Sequence, residues 1–266
     1  MNIELFKGTA YYYAKYRAGY PQEFFDYIMQ LFKLDGTGRF LDLGCGTGQL
    51  AIPFAKHFKE VIGVDPEQEM LDEAERGAHN AAVKNIHWML SKAEDIDDNL
   101  GIFQLTGIGT AFHWMDRKTV LQKIYNLTQK GGGLVIASSI ASPGQDGWRK
   151  DADKWKEFRK QVVKKYLGER RRAGNSFYEE PKERFTDTIA QSPFGGYQEK
   201  IFEYTKTWDI ESVINHMYST SFSSRRLLGD RIDDFERELK AELLKCQPDG
   251  IFVDHITLQV IISIKQ

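Results

Sequence analysis

Apolar residues recur along this chain with two periods. Short apolar-rich runs at 39–43, 60–64, 86–90, 103–109 and 134–137 have the length and continuity of strands covered on both faces. Between the first of them lie stretches of helical character at 48–58 and 66–78, and a further helix at 116–129 carries Val120, Ile124 and Leu127 on one face. That helix ends at Lys130-Gly131-Gly132-Gly133, a cation followed by glycines. Strand alternates with helix, which predicts an α/β fold with a parallel sheet and right-handed crossovers. Ahead of the series, Phe24, Phe25, Ile28, Leu31 and Phe32 repeat at helical spacing behind Pro21. After it, Trp155, Phe158, Val162, Val163 and Tyr166 mark an amphipathic helix. Residues 199–207 alternate like a strand with one polar face, and 209–218 is helical again. Phe235, Leu239 and Leu243 mark another helix, closed by Pro248-Asp249-Gly250, and 255–264 reads as a last strand.

The first strand stops in an alternating glycine turn, Leu43-Gly44-Cys45-Gly46-Thr47-Gly48, before a helix. Glycines there permit positive φ and remove the Cβ atoms that would hold a ligand off the backbone. A dinucleotide fingerprint needs two residues between its second and third glycines, and here only Thr47 intervenes. The Lys-Ser/Thr pair of a phosphate-cradling loop is also missing. Asp65 ends the next strand, one βαβ step beyond Asp42, where a carboxylate can accept both hydroxyls of a ribose. Asp42, Gly44 and Asp65 converge at the carboxyl ends of the strands, and the pairing favours a nucleoside without phosphates.

Four segments in order carry a resemblance: LDLGCGTG (41–48), GVDPEQEML (63–71), SKAEDI (91–96) and GGGLVIA (131–137). Together they resemble the class I S-adenosylmethionine-dependent methyltransferases. The resemblance implies a Rossmann-like, doubly wound, seven-stranded sheet, mostly parallel, whose antiparallel last strand inserts between the fifth and sixth, with helical lid insertions. It divides the chain into N-terminal lid helices (1–36), a cofactor-binding core (37–141), a helical cap insertion (142–197) and C-terminal strands and helices that complete the sheet and the acceptor pocket (198–266). S-adenosyl-L-methionine is the implied cofactor. Gly44, Cys45, Gly46 and Gly48 would touch it through the main chain, while Asp42 would hold the turn and receive its ammonium. Pro66 and Met70 would lie near the adenine, and the Ala93 amide and Glu94 carboxylate would read it. Thr110 stands at the tip of the fourth strand. The leader at 8–20 has five tyrosines and two cations and resembles a segment that folds over the cofactor, putting Tyr16 and Arg17 near its carboxylate. Two departures stand out: Lys92 where related sequences often carry an acid, and Gln104 where many carry Asp.

The stretch AFHWMD (111–116) resembles the post-strand segment of a small-molecule subgroup, methyltransferase type 11, that includes trans-aconitate-type enzymes. There His113 would face the transferring methyl, either as the proton acceptor or as a group that orders the loop and binds substrate. Phe112 and Trp114 flank it. Tyr12 and Tyr20 of the leader, and Tyr218, Thr220 and Ser221 of a hydroxyl-rich turn, would line the acceptor pocket; the hydroxyls could equally cap helices.

Composition narrows the partners. A chain of 266 residues with 41% hydrophobic content can bury a sizeable core, as one large domain or one domain with a helical annex. A net charge of −2 gives no global field toward nucleic acid or an acidic membrane. Two cysteines, Cys45 and Cys246, are too few for a disulfide framework or a four-thiolate zinc site, and the six histidines are scattered without ligand spacing. No apolar run approaches the roughly 20 residues that span a bilayer, and the N-terminus lacks a signal-type apolar core, so a cytoplasmic location is expected. Residues 149–172 hold eleven Lys/Arg against four Asp/Glu. They form either the solvated face of a cap helix or a surface for an anionic acceptor or RNA, although no nucleic-acid module is visible. The expected partners are a small-molecule methyl acceptor, with no metal, nucleic acid or membrane, in a monomer or homodimer. Two alternatives share the sheet: a nicotinamide-dependent oxidoreductase, disfavoured by the glycine spacing, and a non-catalytic cofactor-binding subunit.

Overall fold

The computed structural model describes residues 5–140, 154–173, 176–178 and 183–266. The start of the expected cap insertion, including Arg149 and Lys150, lies outside them. Strands β1 (Arg39–Leu43), β2 (Glu60–Asp65), β3 (Ile86–Leu90), β4 (Phe103–Gly109), β5 (Thr128–Ile140), β6 (Gln198–Asp209) and β7 (Ile251–Ile264) form one seven-stranded sheet. Its order is β3-β2-β1-β4-β5-β7-β6. The first five strands run parallel, and β7 is antiparallel to both β5 and β6. This is the Rossmann-like sheet that the strand–helix alternation and the resemblance predicted, with the last strand inserted where expected.

The helices are α1 (Ala10–Tyr16), α2 (Gln22–Phe32), α3 (Ala51–Phe54), α4 (Gln68–Asn80), α5 (Arg117–Leu127), α6 (Lys154–Leu167), α7 (Phe185–Ala190), α8 (Ile210–Tyr218), α9 (Arg225–Leu228) and α10 (Ile232–Cys246). Successive strand residues point to opposite faces, so Leu41 and Leu43 pack with α5 through Val120, Leu121 and Ile124, while Phe40 packs on the other side with Phe24 and Ile28 of α2 and Phe54 of α3. Burying each such side chain contributes about 1.5–3 kcal/mol. A third core lies off the sheet. The far ends of β6 and β7 supply Trp208 and Phe252 to a cluster with Trp155 and Val162 of α6, Met217 of α8 and Phe235, Leu239 and Leu243 of α10. The long edge strands thus carry the helical annex.

Three boundaries differ from expectation. The helix expected over 48–58 is only α3 followed by a tight turn at Ala55–His57. Pro53 has no N–H for the Gln49 carbonyl, which shortens the ladder. The fifth strand begins at Thr128, which pairs with Phe103, and resumes at Gly133 opposite Leu105 after a register shift that Gly131 accommodates at φ +78°. A side chain at Gly133 would come within 2.3 Å of the Ser263 carbonyl on β7. The last strand starts at Ile251, four residues early, because its first residues pair with the end of β6. No helix among the described residues is long and apolar enough to cross a membrane.

Candidate active site

The glycine turn leaves β1 with φ of +65° at Gly44, +53° at Gly46 and +81° at Gly48. The Gly44 and Cys45 amides both donate to the Val64 carbonyl, at 2.8 and 3.0 Å, which locks the turn to β2. At the end of β2, Asp65 receives the Gly46 amide on Oδ2 and the Glu67 amide on Oδ1, each at 2.9 Å. Beneath the turn, buried Asp42 accepts the Ala51 amide on Oδ2 at 3.0 Å, while its Oδ1 has no partner. Burial pushes the Asp42 carboxyl up to about 8, with the Asp65 charge adding to the effect. Burial likewise raises Asp65 to about 6 against the opposing pull of its two amide bonds. The buried Cys45 thiol is pushed up for the same reason.

Above the turn is a cavity. Gly44, Gly46, Asp65, Pro66, Met70, Ala93, Glu94 and Thr110 stand in its wall, and all are residues the sequence singled out for the cofactor. The leader closes it with Leu5, Phe6 and Tyr13, and Trp114 and Met115 complete the rim. The wall fits a nucleoside. Gly46 presents bare backbone with nothing nearer than the Tyr13 ring at 3.7 Å from where a Cβ would sit. Glu94 accepts the Asp116 amide on Oε1 at 2.8 Å, leaving Oε2 buried without a partner and able to accept from an exocyclic amine. With Phe6 and Tyr13 in place over it, the cavity encloses about 80 Å³. The Gly8 amide bonded to the Glu69 carboxylate is a tie that holds the leader down. Thr110 adopts φ +53°, costly for a β-branched residue, and donates its amide to the Ala137 carbonyl.

Other sequence candidates lie outside that wall. Asp42, Cys45 and Gly48 are structural members of the turn. Tyr16 stacks on Tyr12, which in turn meets Tyr218 edge-on. Arg17 donates to the Ser219 carbonyl at 3.0 Å and lies 4.5 Å over the Tyr13 ring, with its buried Nε unpartnered. Tyr13, absent from the expected set, is therefore the leader tyrosine that meets the glycine turn. Tyr20 is half-buried, with its hydroxyl over Gly109. Tyr218 donates to Glu236 at 2.7 Å. Thr220 and Ser223 donate to the Met217 carbonyl and Ser219 to that of His216, so this hydroxyl turn closes the C-terminus of α8. Ser221 is buried in the same turn.

The turn Phe112–Trp114 separates two spaces. Phe112 is buried against Phe185, and Trp114 faces the cofactor cavity. His113 lines a second cavity of about 390 Å³, together with Arg117 at the start of α5, Tyr178 and the segment leading into α7. Its imidazole packs on Trp114 with centroids 4.6 Å apart. Burial, reinforced by Arg171 and Arg117, lowers it to about 4, so it is neutral at physiological pH. Among the described residues no cluster of side chains could hold a metal ion.

Residues 40–132 match the family model of a methyltransferase domain. A Dictyostelium discoideum protein named as a methyltransferase is 34% identical over 98 residues, which is 37% of this chain and 35% of that protein. An uncharacterized methyltransferase of Schizosaccharomyces pombe is 26% identical over 254 residues, covering 94% of this chain and 90% of its own length. The crystal structure of YcgJ from Bacillus subtilis shares the fold, with a TM-score of 0.54 and 18% identity over 92% of this chain and 99% of that one. The match begins at Phe40 in β1 and runs through the whole glycine turn, Asp65 and Glu94, the very residues that build the cofactor cavity. Residues 40–132 thus form a methyltransferase domain, built on a sheet whose fold YcgJ shares.

Proposed function

We propose that the protein methylates a small molecule, by in-line displacement from S-adenosylmethionine onto an oxygen or nitrogen of the acceptor. The observation that carries this reading is the pairing of a main-chain-walled cofactor cavity with a side-chain-walled cavity of about 390 Å³ across one turn. That volume is in the range of small-ligand sites. When bound, the cofactor supplies a methyl group on a sulfonium that departs as a neutral thioether.

The chain's own residues then have separable tasks. Asp65 fixes the Gly46 amide while keeping lone pairs for ribose hydroxyls, and the free Oε2 of Glu94 accepts from adenine. The unpartnered Nε of Arg17 serves the methionine carboxylate from behind Tyr13. Phe6, Tyr13 and Trp114 exclude water, and their ring faces suit a cationic sulfur. His113, neutral and weakly basic beside two arginines, orients the acceptor rather than taking its proton.

The test is transfer of labelled methyl from S-adenosylmethionine to fractionated metabolites, with Asp65→Asn as the control. Label appearing in low-mass products only with the unaltered chain supports the reading. Label confined to protein or RNA, with binding intact by calorimetry, would sink it.

A further inference from the structure

The second cavity is lined by His113, Arg117, Tyr178 and Arg184, with Glu183 and Glu199 also in its wall. Arg117 is half-buried. Its Nη1 donates to the Glu183 carbonyl at 2.8 Å and its Cζ lies 4.6 Å over the Phe185 ring. Arg171 stands behind Tyr178, its Cζ 4.7 Å from that ring and 5.1 Å from Phe222. Neither guanidinium forms an ion pair with a described carboxylate. Glu199 is occupied by the Gln259 amide at 2.7 Å, and Glu183 influences Arg117 without pairing.

We propose that this cavity takes an oxyanion of the methyl acceptor, a carboxylate or a phosphomonoester, held by Arg117 with Arg171 behind it. The proposal rests on the small-molecule reading above and names the class of molecule. Two guanidiniums held over aromatic rings present forks that suit a planar or tetrahedral oxyanion, and those contacts reduce the rotamer entropy lost on binding. Burial disfavours the Arg117 charge, and an arriving anion offsets that cost. The positive field of Arg171 and Arg117, which adds to burial in keeping His113 unprotonated, would repel a cationic amine. A neutral acceptor would leave both arginines unpaired. His113, at the wall between this cavity and Trp114, is positioned to donate one N–H to the bound anion.

The experiment follows the His113 imidazole resonances at neutral pH in protein saturated with S-adenosylhomocysteine. Succinate and inorganic phosphate are the anionic probes, with succinamide and putrescine as neutral and cationic comparators. Saturable shifts with the anions alone, weakened about tenfold or more in Arg117→Gln, are expected. Arg171→Gln, at an exposed position, replaces that variant if Arg117→Gln does not fold, and Arg171→Lys should retain part of the response. The anion that saturates at the lower concentration distinguishes a carboxylate from a phosphate acceptor. No response to either anion up to about 50 mM, or an equal response to succinamide, overturns the proposal. Calorimetry with S-adenosylhomocysteine on the same sample separates the two failures: binding there with no anion response removes only this inference. An anion response without any methyl transfer keeps the site and removes the proposed function.

Discussion

Two cavities lie back to back across Phe112–Trp114, and they are made of different material. The cofactor side is walled by backbone: glycines that carry no Cβ, a carboxylate bonded to two amides, and strand tips fixed by the sheet. The second cavity is walled by long side chains from α5, the segment before α7 and the strands β6 and β7. Backbone walls tolerate little change and are shared across a family. Side-chain walls can be rebuilt one residue at a time. The matched region ends at residue 132, before most of the second cavity's wall begins.

The largest expected effect tests the backbone wall. A Cβ on Gly44 would sit 2.6 Å from the Ala111 Cβ and 3.2 Å from the Met115 Cε, at positive φ. Gly44→Ala should therefore cost about 2–5 kcal/mol in urea unfolding, from overpacking and the left-handed backbone together. At Gly46 the space is open and only the backbone term of about 1–2 kcal/mol remains, but the new methyl projects into the cavity. Gly46→Ala should fold and lose S-adenosylhomocysteine binding. Equal stability losses in the two variants would contradict this division between support and wall.

Asp65→Asn comes next. An amide can accept from only one of the Gly46 and Glu67 amides and turns an N–H toward the other. A loss of about 1.5–3 kcal/mol is expected, seen as weaker cofactor binding by calorimetry. The sign of the pH dependence follows from burial. Asp42 and Asp65 are raised above their unfolded values, so the folded state holds more protons and stability declines as pH rises from about 4 through 6 for Asp65 and on through about 8 for Asp42. Asp42→Asn should flatten the upper part of that decline. An unchanged slope in that variant would remove Asp42 as its source.

The same contrast decides what could be read in advance. The turn and Asp65 were legible because main-chain geometry demands particular residues at fixed spacing, while Pro66, Met70 and Glu94 were implied by the resemblance, and the same cavity wall holds them all. In the leader, tyrosines cover every face of α1, so spacing could not say that Tyr13 rather than Tyr16 meets Gly46; packing of α1 on α4 and α8 decides it. His113 and Trp114 are neighbours in a tight turn, where one step in sequence moves a side chain to the opposite wall. The hydroxyls of 219–223 carry both cap and pocket chemistry, and only the carbonyls of His216 and Met217 show which is used. Arg171 lies more than fifty residues from His113, in a stretch readable only as a basic helix and its exit.

The smallest expected effect belongs to the side-chain wall. His113 is held at about 4, below its unfolded value near 6.5, so the unfolded chain binds more protons between those values and stability falls as pH drops through that window. A second histidine contributes to the same limb: His216, half-buried against Trp208 and near Arg17, Arg159 and Lys156, is held well below its ordinary value by burial and those cations. His113→Gln should therefore make the acid limb shallower without abolishing it, by at most about one proton, or tenfold in the unfolding constant per pH unit. Succinate offers a way to tell the two apart, because an anion beside Arg117 relieves the field on His113 while leaving the annex around His216 untouched. Acid unfolding measured with and without succinate should then differ in the unaltered protein and coincide in His113→Gln; a succinate effect of the same size in both would mean that the anion acts somewhere other than the second cavity.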